Sequence, residues 1–224
     1  MKKILSLMLA LLMLAGMLSA CDPDHGSSDP SDEIPVSEEP SYIPCYKPVI
    51  YLYPEAETEV SVSLELNGKL TCTYPEYKDG WSVTAYPDGT LVDEKGVEYS
   101  YLYWEGDSGS EFDFSEGFCI PGADTAAFLE EALESLGLTR REANEFIVYW
   151  LPQMQDNPFN VISFQFENYA ESAKLSISPE PDALIRVFMA WYGTDEAVEI
   201  TPQTLTAAER IGFTAVEWGG TEVK

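Results

Sequence analysis

The chain has 224 residues, with 39 Asp and Glu against 12 Lys and Arg, and a formal net charge of −27. A surface this acidic repels nucleic acid, anionic lipid heads and acidic wall polymers, leaving cations, basic protein faces or neutral molecules such as glycans as partners. The single histidine, His25, lies in a polar segment, so the folded part has no Ser-His-Asp or Cys-His arrangement and no zinc site that needs histidine.

Residues 1–20 read as a secretory signal: Lys2 and Lys3, an apolar stretch from Ile4 to Met17, then small residues. Leu18-Ser19-Ala20-Cys21 resembles the lipobox of bacterial lipoproteins, in which the cysteine is acylated (palmitate-type chains) and becomes the new N-terminus. That resemblance implies a membrane-anchored, extracytoplasmic protein held through lipid on Cys21. Loss of Lys2 and Lys3 leaves 10 basic residues against 39 acidic ones, a charge of −29. Residues 21–44 are Ser, Pro, Gly, Asp and Glu with few bulky apolar side chains, the composition of an acidic tether that cannot bury enough surface to order itself.

About 180 residues follow, enough for one large or two small domains. They divide into a β-rich region, 45–104, and an α+β region, 105–224, which together can form one domain. Lys47-Pro48-Val49-Ile50-Tyr51-Leu52-Tyr53-Pro54 is an uninterrupted apolar run between prolines, the pattern of a strand covered on both faces. Thr58–Tyr74 reads as a hairpin. Parity places Val60, Val62 and Leu64 on one face with Leu70, Cys72 and Tyr74 if the loop is Leu66-Asn67-Gly68, pairing Glu65 with Lys69. Trp81–Tyr86 and Leu91-Val92 make a second hairpin across Pro87-Asp88-Gly89. Val97, Tyr99, Tyr101 and Tyr103 then share one face of a further strand, and the three tyrosines are a candidate stacking platform for sugars. An antiparallel meander or small sandwich is expected from 45 to 104.

In the second region Glu105–Asp113 is the loop densest in oxygen ligands. Asp107, Glu111 and Asp113 are its candidate Ca²⁺ ligands, although the spacing does not match a helix-loop-helix calcium loop. Phe128, Leu129, Ala132, Leu133 and Leu136 fall at helical spacing between a cap at Asp124 and a terminator at Gly137. Thr139 and Glu142 form the capping-box pattern of a second helix, which Pro152 should kink or end. Phe159–Glu167, Ala173–Ser178 and Leu184–Tyr192 read as strands, with a turn at Asn168-Tyr169. The last of these is nearly as apolar as the Lys47–Pro54 run, and both should lie inside a sheet. Arg186 interrupts it and should sit on an edge or pair with a carboxylate. Gly212–Gly220 is a strand ending in a glycine turn. The fold class is therefore α+β, two helices packing on a further antiparallel sheet.

The Lys47–Pro54 run, Arg141-Glu142-Ala143-Asn144-Glu145-Phe146-Ile147-Val148-Tyr149-Trp150-Leu151-Pro152, and Gly212-Phe213 through Val216-Glu217-Trp218-Gly219-Gly220 together resemble an uncharacterised family of exported bacterial proteins and lipoproteins. That resemblance implies export and one recurrent fold, and carries no activity.

Chemistry outside histidine narrows to carboxylates. Glu105 beside Trp104 and Glu217 beside Trp218 are the candidate pair for glycoside hydrolysis, each next to an indole that can desolvate it. No phosphate-binding glycine loop and no CxxC pair occurs. Three cysteines besides Cys21 (Cys45, Cys72 and Cys119) leave an odd thiol, and any of three disulfide pairings, or none, fits. The export signal and the absence of catalytic constellations favour a non-enzymatic envelope lipoprotein that binds a protein or glycan, ahead of a carboxylate hydrolase or a calcium-dependent adhesion module.

Overall fold

The computed structural model describes residues 43–109, 111–206 and 209–223. Strand β1, Ile43–Tyr53, is its axis. Val49 and Tyr51 enter a core that also holds the helices, while Ile50 and Leu52 enter a second core on the other face. The continuous apolar run is thus explained: alternation is lost where both faces are dry.

The other strands are β2 (Thr58–Leu66), β3 (Gly68–Tyr74), β4 (Trp81–Ala85), β5 (Leu91–Val92), β6 (Glu98–Tyr99), β7 (Leu102–Ser108), β8 (Phe118–Pro121), β9 (Phe159–Phe164), β10 (Ala173–Ser178), β11 (Ala183–Thr194) and β12 (Thr214–Glu222). Helices are α1 (Thr125–Ser135), α2 (Arg140–Met154) and the short α3 (Glu167–Ser172). A seven-stranded sheet runs β3-β7-β1-β12-β11-β9-β8 and a five-stranded sheet β10-β2-β4-β5-β6. The architecture is α+β in three layers. Helices α1 and α2 pack on one face of the large sheet, and the small sheet packs on the other.

Both apolar strands are interior, flanking β12. Pairing is antiparallel except between β11 and β12, which residues 195–213 join as a crossover. Each sheet draws strands from both regions of the sequence, so 45–104 is not a self-contained meander.

The expected Thr58–Tyr74 hairpin is absent. β2 pairs with β4 and β10 in the small sheet, whereas β3 pairs with β7 in the large one. The chain changes sheet at Asn67, whose N–H donates to Ser172 O at 2.7 Å and whose carbonyl accepts from Gly109 N at 2.9 Å. Gly68 (φ +155°) is required there, because a Cβ would stand 1.9 Å from Asp107 O. Cys72 and Tyr74 are exposed on an edge strand instead of sharing the face of Val60, Val62 and Leu64. The hairpin β4–β5 forms as read.

A second crossing splits the row of tyrosines. Tyr99 ends β6 in the small sheet, and the chain passes through Ser100-Tyr101 before β7 begins in the large one. Glu105 and Asp107 lie on β7 and not in a loop. Asn168-Tyr169 belongs to α3, and Pro152 is accommodated within α2. Gly219-Gly220 does not turn the chain, and β12 runs straight through it. The capping box of α2 forms: Thr139 N donates to Glu142 Oε2 at 2.7 Å and Glu142 N to Thr139 Oγ1 at 3.4 Å. Gly137, at φ +87°, closes α1, and Asp124 stands at its N-cap position without a side-chain capping bond.

Candidate functional site

The three segments that carry the family resemblance meet on the helical face of the large sheet. β1 contains one extra residue between Cys45 and Val49 relative to both β7 and β12. At that bulge Lys47 has φ +58°, a left-handed conformation that costs a non-glycine residue about 1–2 kcal/mol. Its N–H, turned out of the ladder, donates to Glu105 Oε1 at 3.3 Å. Pro48 follows and packs on Gly219 of β12, where a Cβ would come within 2.9 Å of the proline ring.

The bulge aims the Lys47 ammonium into a cup of aromatic rings. Nζ lies 4.8 Å from the Tyr101 centroid, 5.5 Å from Tyr103 and 5.6 Å from Trp218, and donates to the Tyr101 hydroxyl at 3.3 Å. No carboxylate oxygen of the described residues lies within ion-pair distance of it. Trp218 is the fully buried floor of the cup, and Tyr101, Tyr103 and Glu105 are half-buried walls. Burial, then the Glu105 carboxylate, pushes the Tyr103 phenol well above its ordinary value. Tyr149 on α2 is raised by burial, by Glu105 and by Tyr46, whose ring is 38% exposed at the rim.

From this cup a tyrosine row follows β1. Tyr101 stands edge-on to Tyr51 at 5.4 Å, and Tyr51 stacks with Tyr53 at 6.2 Å. The Tyr51 hydroxyl donates to Glu145 Oε2 of α2 at 2.8 Å, and burial, reinforced by Glu145, raises its pKa far above that of a free phenol. Beyond Tyr53 opens a cleft of about 520 Å³ lined by Tyr53, Asp88, Thr139, Arg141 and Arg210. Behind it Arg210 pairs with Glu142, which is fully buried. The six steps from Lys47 to Tyr53 span about 20 Å at the rise of a strand. Tyr51, in the middle of the row, is only 4% exposed, so the open parts are the cup and the Tyr53 cleft, which combine half-buried aromatic rings with an ammonium, guanidinium groups and carboxylates, groups that hold a polyhydroxylated ligand.

The proposed carboxylate pair is not brought together. Adjacent residues of a strand point to opposite faces. Trp104 therefore lies in the core between the sheets while Glu105 faces the helices, and for Glu217 and Trp218 the assignment is reversed. Glu217 is fully buried, accepts from Trp104 Nε1 at 3.0 Å and from Arg186 Nε at 2.7 Å, and flanks no bond in common with Glu105. Arg186 also donates to Ala173 O at 2.8 Å, and its guanidinium lies 4.6 Å from the Tyr169 ring. Burial works against its charge, but Glu217 and Tyr169 outweigh that and raise its pKa. Arg186 is thus a structural ion pair.

Of the three candidate sugar-stacking tyrosines, Tyr101 and Tyr103 share the cup. Tyr99 lies apart, donating to Asp93 Oδ2 at 3.1 Å and packing edge-on to Tyr74. The three candidate calcium ligands do not converge. Asp107 is on β7, Glu111 is exposed, and the Asp113 carboxylate accepts from Ser115 N and Oγ at 2.8 and 2.9 Å. Among the described residues no three His, Cys, Asp or Glu side chains are placed to hold a metal ion. Cys45, Cys72 and Cys119 are free thiols. Burial first, then Glu217 and Asp107, pushes Cys45 up to about 12. Cys21 lies outside the described residues, and no helix among those described is long and apolar enough to cross a membrane.

Glu145 and Tyr149 are site residues that reading the sequence for catalytic patterns does not find. Their one signal is position: each lies inside a motif of the resemblance.

No protein-family model matches the chain. No solved structure matches it. Over 64 residues it is 53% identical to a Butyrivibrio fibrisolvens protein described as "Uncharacterized protein in bglA 3'region". The match covers 27% of this chain and 66% of that protein, just under two thirds of its length. A similar protein without a characterised activity is consistent with the uncharacterised family that the motifs resemble.

Proposed function

We propose that this protein is a lipid-anchored, extracytoplasmic module that binds a glycan of the cell envelope on the tyrosine face between the Lys47 bulge and α2. The observation that carries the reading is the Lys47 bulge itself: a backbone strained in an interior strand, presenting an ammonium among half-exposed tyrosines. Strain of this kind persists where surrounding structure over-determines it, and here three motifs do so. Aromatic rings with polar tips suit a sugar's apolar face and hydroxyl rim together. A neutral glycan is also among the ligand classes that a chain of charge −27 does not repel.

The test is a glycan array followed by titration calorimetry on the full-length chain in detergent, with Tyr101→Ala and Tyr103→Ala as variants. Binding by the native chain and at least tenfold weaker binding by both variants is the expected result. Absence of any glycan ligand, or full retention of affinity in both variants, overturns the reading. Anchoring is tested separately: Cys21→Ala should move the protein from the membrane fraction to the soluble one.

A further inference from the structure

We infer that the glycan read at the Lys47 cup carries a 2-acetamido group, as N-acetylated amino sugars do. This rests on the glycan reading above and adds the ligand's chemistry. An acetamido group asks a site for three things at once: a donor for its carbonyl, an acceptor for its N–H and an apolar wall for its methyl. Lys47 of β1, Glu105 and Tyr103 of the neighbouring β7, and Tyr101 just before β7 supply these side by side.

Lys47 is the donor. An ammonium has three N–H bonds and no acceptor. Nζ spends one on the Tyr101 hydroxyl at 3.3 Å, and the described residues give it no carboxylate. The other two N–H bonds have the aromatic walls beside them, and a carbonyl oxygen entering the cup satisfies them. A neutral carbonyl fits where a free carboxylate does not, because Glu105 sits beside the same bulge, its Oε1 3.3 Å from the Lys47 nitrogen.

Glu105 is the acceptor. It takes the weak, long bond from the Lys47 N–H and a hydrogen bond from the Tyr103 phenol, and because a carboxylate has about four lone-pair sites, capacity remains for an amide N–H. Its position on β7, two residues from Tyr103 and on the same face, sets acceptor and ring side by side. The methyl then rests against the half-buried Tyr101 and Tyr103 rings, and the rest of the sugar extends over the rim of the cup. A hydroxyl in place of the acetamido group offers a single oxygen where the amide offers a separate carbonyl and N–H, and leaves the ring wall without its methyl. Sites built to hydrogen-bond a group discriminate strongly against analogues lacking it.

The experiment compares chitotetraose with cellotetraose, chains of equal length and linkage that differ at C2, by titration calorimetry on the full-length protein. Chitotetraose should bind at least tenfold more tightly. In K47M, which keeps an unbranched apolar side chain and removes the ammonium, the ratio of the two affinities should fall to about one, chitotetraose losing the more. E105A keeps the Lys47 side chain and supplies an independent variant, expected to lower the same ratio. Equal affinities for the two sugars in the native protein overturn the acetamido inference and leave glycan binding standing. No binding of either sugar, together with a blank glycan array, removes both. A preference for chitotetraose that survives K47M and E105A also overturns the assignment to this cup.

Discussion

Glu217→Gln is the sharpest perturbation of the fold. It removes a charge from the core between the sheets, where the Glu217 side chain is 0% exposed and that of Arg186 13%. Glu217 takes one indole N–H and one guanidinium N–H. The amide satisfies at most one of these as acceptor and turns its NH₂ toward a second donor, leaving Arg186 with a single backbone acceptor, Ala173 O, and an uncompensated charge. Breaking a buried pair on one side costs about 3–5 kcal/mol. For a chain of this size each kcal/mol is about 2–4 °C, so a loss of about 4 kcal/mol lowers Tm by about 8–16 °C. Urea unfolding followed by tryptophan fluorescence reads it directly, since Trp104 belongs to the cluster; the midpoint should fall with the slope unchanged. Arg186→Met should cost a similar amount, and the double variant less than the sum of the two by about 2 kcal/mol, because removing both charges leaves nothing unpaired. If each single change costs under about 1 kcal/mol and the two simply add, the pair does not act as described.

Gly220→Ala places a Cβ 2.6 Å from Met189 O and 2.8 Å from the Trp150 ring, and should cost about 1–3 kcal/mol in thermal or urea unfolding. Thr139→Ala removes half of the capping box of α2 and should cost about 1 kcal/mol by the same assay. Alkaline stability follows from the phenols. Tyr51, Tyr53 and Tyr103 have folded pKa values raised above the free value, chiefly by burial and then by Glu145, Glu142 and Glu105 respectively. Raised folded values favour the fold fully below the unfolded pKa, and that contribution is lost as pH rises beyond it. Stability should therefore decline above about pH 10, where unfolded tyrosine ionises, with Cys45 adding to the fall from about pH 9. Tyrosinate absorbance should appear together with loss of structure. A smooth titration of all tyrosines at the free value in an intact fold contradicts it.

What could be read from sequence followed from interactions that are local or periodic. β1 and β11 were legible because burial on both faces demands a continuous apolar run, and α2 because a capping box is complete within four residues. Parity says which residues share a face, but not which sheet a strand joins. That is why β2 and β3, with compatible rows, read as a hairpin, and why Tyr99 read together with Tyr101 and Tyr103. Both errors fall where the chain crosses between sheets, at Asn67 and at Ser100-Tyr101. The glutamate–tryptophan neighbours misled for a related reason. Adjacency along a strand separates side chains, so the indole at Glu217 is Trp104, 113 residues away, and Trp218 lies on the face of Glu105.

The Lys47 bulge shows how the site depends on three motifs at once. A bulge in an interior strand interrupts two ladders together, with β7 on one side and β12 on the other. Each loss has its own compensation. Pro48 has no N–H to leave unpaired, and the Lys47 N–H goes to Glu105. Gly219 and Gly220 leave room where β12 passes Pro48 and Trp150, so the double glycine that reads as a turn is instead a flat stretch of strand pressed between a proline and an indole. Trp150 and Tyr149 come from α2, whose register over the sheet is held by Tyr51–Glu145 and by Phe146 against Trp218 at 5.3 Å. Removing any one of β1, α2 or β12 from this arrangement exposes an unpaired donor or a clash at the bulge. The three motifs therefore share one piece of backbone geometry, and that geometry's product is the position of the Lys47 ammonium.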